Sequence, residues 1–500
     1  MIDEDSEEQT AEADRLESDD ELRTTGRSSV RQRAVSVLKK VSTGFWKTLH
    51  RPEYMVVIVG LVFGVLLLVT TPPSLVCDEP MHLYNSYRLS QGRLLPPEIK
   101  GIAGNYVPAS FPGTFKVTGS RDLIAQTGGK QDVDLTLEAF KIPLRAGDTV
   151  FIRSYQQYPP GCYVPQAIAM AVGRLFGAPP ILLMYLARLF TLLAVLFLAF
   201  MAVRVAPIMK WTFFLLFLMP STLFLISSSS ADALTIAFSF LAVAYFLKLA
   251  LQPDQEVGRR ELVFLGLIAL ALSLVKAPYF LVFLGFLIIP PKRFGGLKRY
   301  VLTFGMMLLG MILIVGLWQF LAGRHITTMI APGVSPFGQL RHIIGHPWSY
   351  VRTVASDLLR RDLYIGYYEN SLNVIAGMSW GTTTFPTWVP WLFLFSAISV
   401  TALDKDELKV TAWQKACSFA VFLAVEAAVI TSLYTTISTV GSTMVPIHGR
   451  YFIPALPLLF VPFYNRSIIY RKSRFFYLVV SGLGALFAFS AFYMILARYY

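Results

Sequence analysis

Residues 77–82 read CDEPMH, which places two carboxylates, Asp78 and Glu79, close to one imidazole, His82. Such a set suits two chemistries. A carboxylate whose proton affinity is raised by desolvation can act as a base, and carboxylate oxygens can hold a hard divalent cation, Mg or Mn. The same residues also make an ordinary helix start, because an acid before a proline at the first helical position caps the following turn. Capping alone does not require both carboxylates and His82, and a catalytic carboxylate can cap as well.

The cations that could oppose these acids are scattered: Arg153, Arg188, Lys276, Arg324, His325, His448 and Arg450. Arginine suits bidentate contact with phosphate and lysine a point-charge contact. Arg188, in LLMYLARLFTLL, falls inside an apolar run. A charge there costs about 2.5–3.5 kcal/mol on insertion scales and usually faces the bundle interior. Lys276, in SLVKAPY, reads equally as a lysine snorkelling from a helix end. Arg450, in PIHGRYFIP, precedes an apolar run and is either a boundary residue or a phosphate ligand. In SSSSADAL, Ser230 or Asp232 would suit the cap of the following helix. Glu426, in FLAVEAAVI, is the one acid deep in an apolar run, which marks either a proton or ion pathway or a bond to a neighbouring helix.

These residues must be positioned by a membrane body. The chain has 500 residues, of which 55% are hydrophobic and 15% charged, with mean hydropathy +0.55, a balance found in polytopic membrane proteins. The net charge of +13 fits basic loops on one side of a membrane, and nucleic acid is not expected as a partner. Cys77, Cys162 and Cys417 lack metal-binding spacing, although Cys77 and Cys162 could pair on an oxidising side. No phosphate loop, Rossmann fingerprint, zinc motif or internal repeat is found. Residues 1–50, acidic and then basic, are expected to form a disordered cytoplasmic tail before an uncleaved first anchor.

Spans are expected near 54–70, 182–203, 211–227, 231–250, 261–275, 277–290, 300–322, 386–403, 412–436, 449–464 and 475–497. With the N-terminus inside, the short basic loops fall on the cytoplasmic side. This requires that 163–176 lies in or dips into the outer face without crossing, and the pair 261–275 and 277–290 is short for two spans. Loops 71–157 and 323–385 then lie outside, the second with an interfacial helix near 347–365. The tyrosines and prolines of RSYQQYPPGCYVPQ suit either a groove for a lipid tail or an aromatic belt.

The stretch PPSLVCDEPMHLYNSYRLSQGRLLP, with its D-E-P-x-H pattern after the first span, resembles a bacterial family of polytopic membrane proteins known as domain of unknown function 2142. SSSSADALTIAFSFLA, KAPYFLVFLGFLIIP and HGRYFIPALPLLF resemble its later blocks, so the resemblance runs from about residue 54 to 465. That family is in turn similar to GT-C glycosyltransferases such as protein mannosyltransferases and lipid A aminoarabinose transferases. The resemblance implies a lipid-phosphate-linked sugar donor, a multi-spanning helical body and an acid at the start of the first outer loop, where Asp78 stands with Glu79 beside it. Metal dependence varies among such enzymes, so a divalent cation on Asp78, Glu79 or His82 stays open.

The expectation is an all-α, GT-C-like membrane domain over 51–500 that moves a sugar from a polyprenyl-phosphate donor to a lipid-linked or cell-wall glycan acceptor at the outer face of the cytoplasmic membrane. Asp78 is the expected base and Glu79 its supporting acid. Arg188, Lys276, His448 and Arg450 are expected at the donor phosphate, with His82, Asp232 and Arg153 in support. Two rivals are a transporter or flippase for a glycan, using Glu426 and Asp232, and a non-catalytic envelope assembly factor.

Overall fold

The computed structural model describes residues 50–500 except 125–127, 155–157, 253–255, 324–332, 361–373, 379–384, 387, 405–407, 446 and 466–472. Nearly all of the tail expected over 1–50, much of loop 323–385, and both Arg324 and His325 lie outside the described residues.

The first described helix is α1 (Pro52–Thr70). The long loop that follows carries α2 (Glu79–Ser90), β1 (Glu98–Ile99), β2 (Ile102–Pro108), α3 (Ser110–Val117), α4 (Val133–Ala139) and β3 (Thr149–Arg153), and leads into α5 (Val164–Leu175). Next come α6 (Pro180–Val205), α7 (Lys210–Phe217), α8 (Pro220–Ile226), α9 (Ala231–Leu251), α10 (Arg259–Ser273) and the 3-10 helix Ala277–Ile288. The remainder holds α11 (Leu297–Trp318), α12 (Pro336–Gly345), α13 (Pro347–Arg360), α14 (Trp388–Leu403), α15 (Ala412–Thr436), α16 (Leu456–Phe460) and α17 (Arg474–Tyr499).

Six of these helices, α1, α6, α9, α11, α15 and α17, are long and apolar enough to cross a membrane. The other expected spans are shorter or broken. The run 211–227 divides into α7 and α8 because Pro220 lacks an amide hydrogen and forces Met219 into an extended conformation (φ −55°, ψ 135°). The run 277–290 winds as a 3-10 helix, a form that rarely persists beyond a turn and that often marks strain or function. Lys276 sits at its N-terminus.

Helix α5 has 12 residues, so it is about 18 Å long against a hydrocarbon core of about 30 Å. Val164, Ile168, Val172 and Leu175 are exposed along one side of it, and Phe176 follows. It is too short to cross and packs against α2 and α6.

Close approach of α1 to α6 depends on small residues. A Cβ at Gly60 would stand 2.6 Å from Leu196, and one at Gly64 would stand 2.7 Å from Leu192. Between apolar helices, glycines four residues apart permit the van der Waals contact that drives association in lipid.

The outer loop adds one feature that an all-helical expectation lacked: β1, β2 and β3 form an antiparallel sheet in that order. In its register Gly104 faces Arg153 and Asn105 faces Ile152. The sheet brings Asn105, fully buried, onto α2.

Candidate functional site

Residues 71–77, after α1, are buried. Ser74 and Asp78 take left-handed backbone conformations, φ 64° and 63°, which L-residues avoid and aspartate tolerates better than most. The turn sets Asp78 at the N-cap of α2, yet its side chain makes no capping bond. Its carbonyl accepts from the Met81 and His82 amides. Its carboxylate instead accepts a hydrogen bond from Arg450 Nη2 at 3.0 Å.

Arg450 is the middle of an alternating cluster. Its Nε stands 3.7 Å from Asp232 Oδ2, and Asp232 Oδ1 accepts from Lys276 Nζ at 2.5 Å. Ser230, the N-cap of α9, accepts from the Asp232 amide and donates to its carboxylate. Of the two expected cap candidates, Ser230 is the cap, and Asp232 in the first turn gains from the positive end of the helix dipole. The four charged side chains are between 1% and 12% exposed. They come from the α1–α2 turn, the start of α9, the α10–3-10 junction and the Gly449–Phe463 segment. Buried ion pairs add little net stability, since desolvation offsets their attraction, so a closed group of four at a loop face is a candidate for function.

Aromatic faces wall the cluster. Lys276 Nζ lies 4.8 Å from the centre of the Tyr158 ring and 5.5 Å from that of Tyr451, while the Arg450 guanidinium lies 5.2 Å from the Tyr451 ring. Such cation–π contacts keep cations in place where water is scarce. Tyr279 OH donates to the Tyr451 carbonyl at 2.7 Å. His82 closes one side, its Nδ1 3.0 Å from Tyr163 OH. Burial lowers its pKa to about 3, outweighing Asp78 and Asp232, which raise it, while Lys276 and Arg450 act with the burial, so the ring is neutral. Burial likewise pushes the Cys77 thiol up to about 11. Cys77, Cys162 and Cys417 are all free thiols, so the pairing considered for the first two is not formed.

A cleft of about 400 Å³ opens between α5, α6, α9 and α10, lined by apolar residues including Val164, Ala194, Phe197, Leu234, Leu267 and Leu274. Leu234 and Leu274 stand two positions from Asp232 and Lys276 in the chain. None of the four charged side chains lines this cleft.

The two members of the acidic pair part company. Glu79 and Arg188 are both fully buried, and Arg188 donates from Nε and Nη2 to the two Glu79 oxygens at 2.8 and 2.6 Å. Nη1 donates to the Leu68 and Thr71 carbonyls and Nη2 also to that of Pro72. All five guanidinium hydrogens are therefore consumed. The C-terminal end of α1 leaves carbonyls that lipid cannot satisfy, and Arg188 satisfies them. Glu79 also accepts from the Ser229 amide, tying α1, α2, α6 and the start of α9 together. In this structure Arg188 is fully engaged by Glu79 and the end of α1, and Glu79 by Arg188 and Ser229, and no described hydrogen bond or ion pair joins either of them to Asp78, Arg450, Asp232 or Lys276.

A metal does not fit the expected set either. Asp78 is engaged by Arg450, Glu79 by Arg188 and His82 Nδ1 by Tyr163, and among the described residues no three His, Cys, Asp or Glu side chains converge.

Arg153 lies exposed at the end of β3, and no described contact joins it to the cluster. His448 is exposed at the N-cap of the 3-10 turn that carries Arg450, with its ring 5.8 Å from that of Tyr451. Glu426 is buried within α15, and neither oxygen has a hydrogen-bond partner among the described residues. Asn85 and Tyr451 escaped notice in the sequence, and Tyr158 and Tyr163 were read there only as part of a lipid groove or an aromatic belt. They are neutral and lie among many similar residues, and only the fold brings them to the charges.

Residues 61–459 match the family model described as "Predicted membrane protein (DUF2142)". No curated protein matches the sequence. Among solved structures the chain is similar to the crystal structure of ArnT from Cupriavidus metallidurans bound to undecaprenyl phosphate, at 14% identity and a TM-score of 0.38. That alignment covers 82% of this chain and 59% of the ArnT chain, so this protein spans under two thirds of the length of that relative. Because the family model covers most of the chain, from the middle of α1 into α16, the protein belongs to the DUF2142 family of predicted membrane proteins.

Proposed function

We propose that the protein transfers a glycosyl unit from a polyprenyl-phosphate donor to a hydroxyl of a lipid-linked or cell-wall glycan, at the extracytoplasmic face of a bacterial cytoplasmic membrane. The observation that carries this reading is the buried alternation Asp78–Arg450–Asp232–Lys276, which pairs a carboxylate from the start of the outer loop with two cations suited to phosphate. The apolar cleft between α5, α6, α9 and α10 is the candidate seat for the lipid tail of such a donor.

In the resting site each cation is neutralised by a carboxylate. A donor phosphate competes for Lys276 and Arg450, and as Arg450 turns to it Asp78 loses its partner and gains proton affinity. The acceptor oxygen then bonds to the anomeric carbon and its proton passes to Asp78. The bond from that carbon to the phosphate oxygen breaks, and the electron pair leaves with the phosphate. Lys276 and Arg450 stabilise the charge that develops there, and Asp232 holds both cations in place. Transfer of labelled sugar from polyprenyl-phosphate donors in membranes holding wild type or Asp78→Asn tests the proposal.

One observation favours a second reading, proton-linked transport of a glycan or its lipid carrier: Glu426, buried in α15 with neither oxygen bonded among the described residues. Under that reading Glu426→Gln abolishes function and Asp78→Asn does not.

A further inference from the structure

A buried chain of hydrogen bonds leads from the cluster into the outer loop. Arg88 Nη1 donates to Asn105 Oδ1 at 3.1 Å, Asn105 Nδ2 to Asn85 Oδ1 at 2.9 Å, and Asn85 Nδ2 to Tyr163 OH at 3.2 Å. Tyr163 OH then meets His82 Nδ1 at 3.0 Å. All five side chains are at most 4% exposed. His82, Asn85 and Arg88 recur every third residue along one side of α2. Asn105 arrives from the middle of β2, and Tyr163 from the turn before α5.

Arg88 gives this chain a direction. A guanidinium only donates, so Asn105 must face it with oxygen and offer its N–H to the oxygen of Asn85. Asn85 then offers its own N–H to the Tyr163 oxygen. The single hydroxyl hydrogen is left to point at His82 Nδ1. A neutral imidazole that accepts at Nδ1 carries its hydrogen on Nε2. The charges of Asp78, Lys276, Asp232 and Arg450 all act on this ring, and among the described residues nothing accepts from Nε2.

We infer that His82 is a hydrogen-bond donor locked in its Nε2–H tautomer, that it presents this hydrogen to an anionic phosphate oxygen held by Lys276 and Arg450, and that Arg88 sets the tautomer through Asn105, Asn85 and Tyr163. This rests on the phosphate reading of the cluster. It gives His82 the role of a ligand to the phosphate, distinct from base or metal ligand, and makes Arg88, Asn105 and Asn85 positioning residues.

Ring-nitrogen NMR on the full-length protein in nanodiscs, with 15N-labelled histidine and His82 assigned by its loss in His82→Gln, reads the tautomer directly. The expected spectrum shows one neutral form protonated at Nε2, and a ring protonated at Nδ1 overturns the inference. Asn105→Asp keeps an acceptor for Arg88 but cannot donate to Asn85. Every later bond should then reverse, and His82 should move its hydrogen to Nδ1. An unchanged tautomer there breaks the proposed chain of control. If Asn105→Asp does not accumulate, Tyr163→Phe removes the lock and should give a mixture of both forms, and a single Nε2–H form in that variant counts equally against it.

Titration with a short-chain polyprenyl monophosphate supplies the second arm. The expected result is a shift of the Nε2 signal on binding, with affinity about tenfold weaker in His82→Asn and largely restored in His82→Gln, whose amide can donate near the Nε2 position. Binding that leaves Nε2 unmoved overturns this inference alone. Absence of binding overturns the phosphate reading with it.

Discussion

Asp78 Oδ2 accepts a hydrogen bond from Arg450 Nη2 at 3.0 Å, across a separation of 372 residues. The two are the first and last members of the cluster in sequence, and Asp232 and Lys276 complete it between them. This pair couples the proposed base to the proposed phosphate site through one guanidinium, whose Nη2 holds Asp78 while its Nε has no hydrogen-bond partner among the described residues.

Removing either proposed phosphate ligand should weaken donor binding, measured on protein that retains its fold, since Lys276→Gln also unpairs the buried Asp232. Lys276→Gln and Arg450→Gln each remove a charge-assisted bond of about 1.5–3 kcal/mol, or roughly ten- to hundredfold in affinity. Calorimetry with a polyprenyl monophosphate in detergent measures it. Unaltered affinity in both variants would show that the phosphate sits elsewhere.

Arg188 should behave as part of the frame. Arg188→Met leaves Glu79 as a buried, unpaired acid and frees the Leu68, Thr71 and Pro72 carbonyls. Breaking such a pair costs about 3–5 kcal/mol, so a large fall in unfolding temperature or in accumulation is expected. A stable variant with weakened donor affinity would return Arg188 to the phosphate site.

Glu426 separates transfer from transport. The glycosyl-transfer reading expects Glu426→Gln to keep full transfer activity, since neither oxygen of Glu426 bonds to the cluster. Loss of all function in that variant, with Asp78→Asn active, would favour proton-linked transport.

His82 should leave a signature in acid. Burial holds its pKa near about 3 in the fold, against about 6.5 in an unfolded chain. Its contribution to stability is therefore complete above about pH 6.5. It is lost progressively as pH falls toward about 3, because only the unfolded chain takes up the proton. At about 1.4 kcal/mol per pH unit, wild type should lose on the order of 2 kcal/mol more than His82→Gln between about pH 7.5 and about pH 5. Unfolding midpoints of the two proteins in detergent provide the comparison, and parallel losses would contradict a neutral, buried His82.

Much of the fold was legible because lipid imposes a simple rule: long apolar runs give α1, α6, α9, α11, α15 and α17. The breaks were harder to see. Pro220 and the 3-10 run after Lys276 interrupt stretches that remain apolar throughout, and hydropathy does not register a change of backbone form. At the site, Asp78, Asp232, Lys276 and Arg450 stood out because charges beside apolar runs are rare. Arg188 stood out for the same reason, but a sequence does not show that the end of α1 leaves carbonyls within its reach. Glu79 shared a motif with Asp78 but turns to a different partner, since the left-handed residue at Asp78 reorients the chain between them. The network of His82, Asn85, Asn105 and Tyr163 was out of reach, because it requires the small sheet to bring Asn105 onto α2.

The most direct measurement of the central claim is single-turnover transfer of radiolabelled sugar from a panel of polyprenyl-phosphate donors, by purified wild type and Asp78→Asn matched for unfolding temperature. The account predicts transfer by wild type, and in Asp78→Asn a loss of at least about a hundredfold in rate, as expected on removal of a general base, with donor affinity retained. Equal rates in the two proteins would contradict Asp78 as the base, and no transfer by wild type from any donor would contradict glycosyl transfer itself.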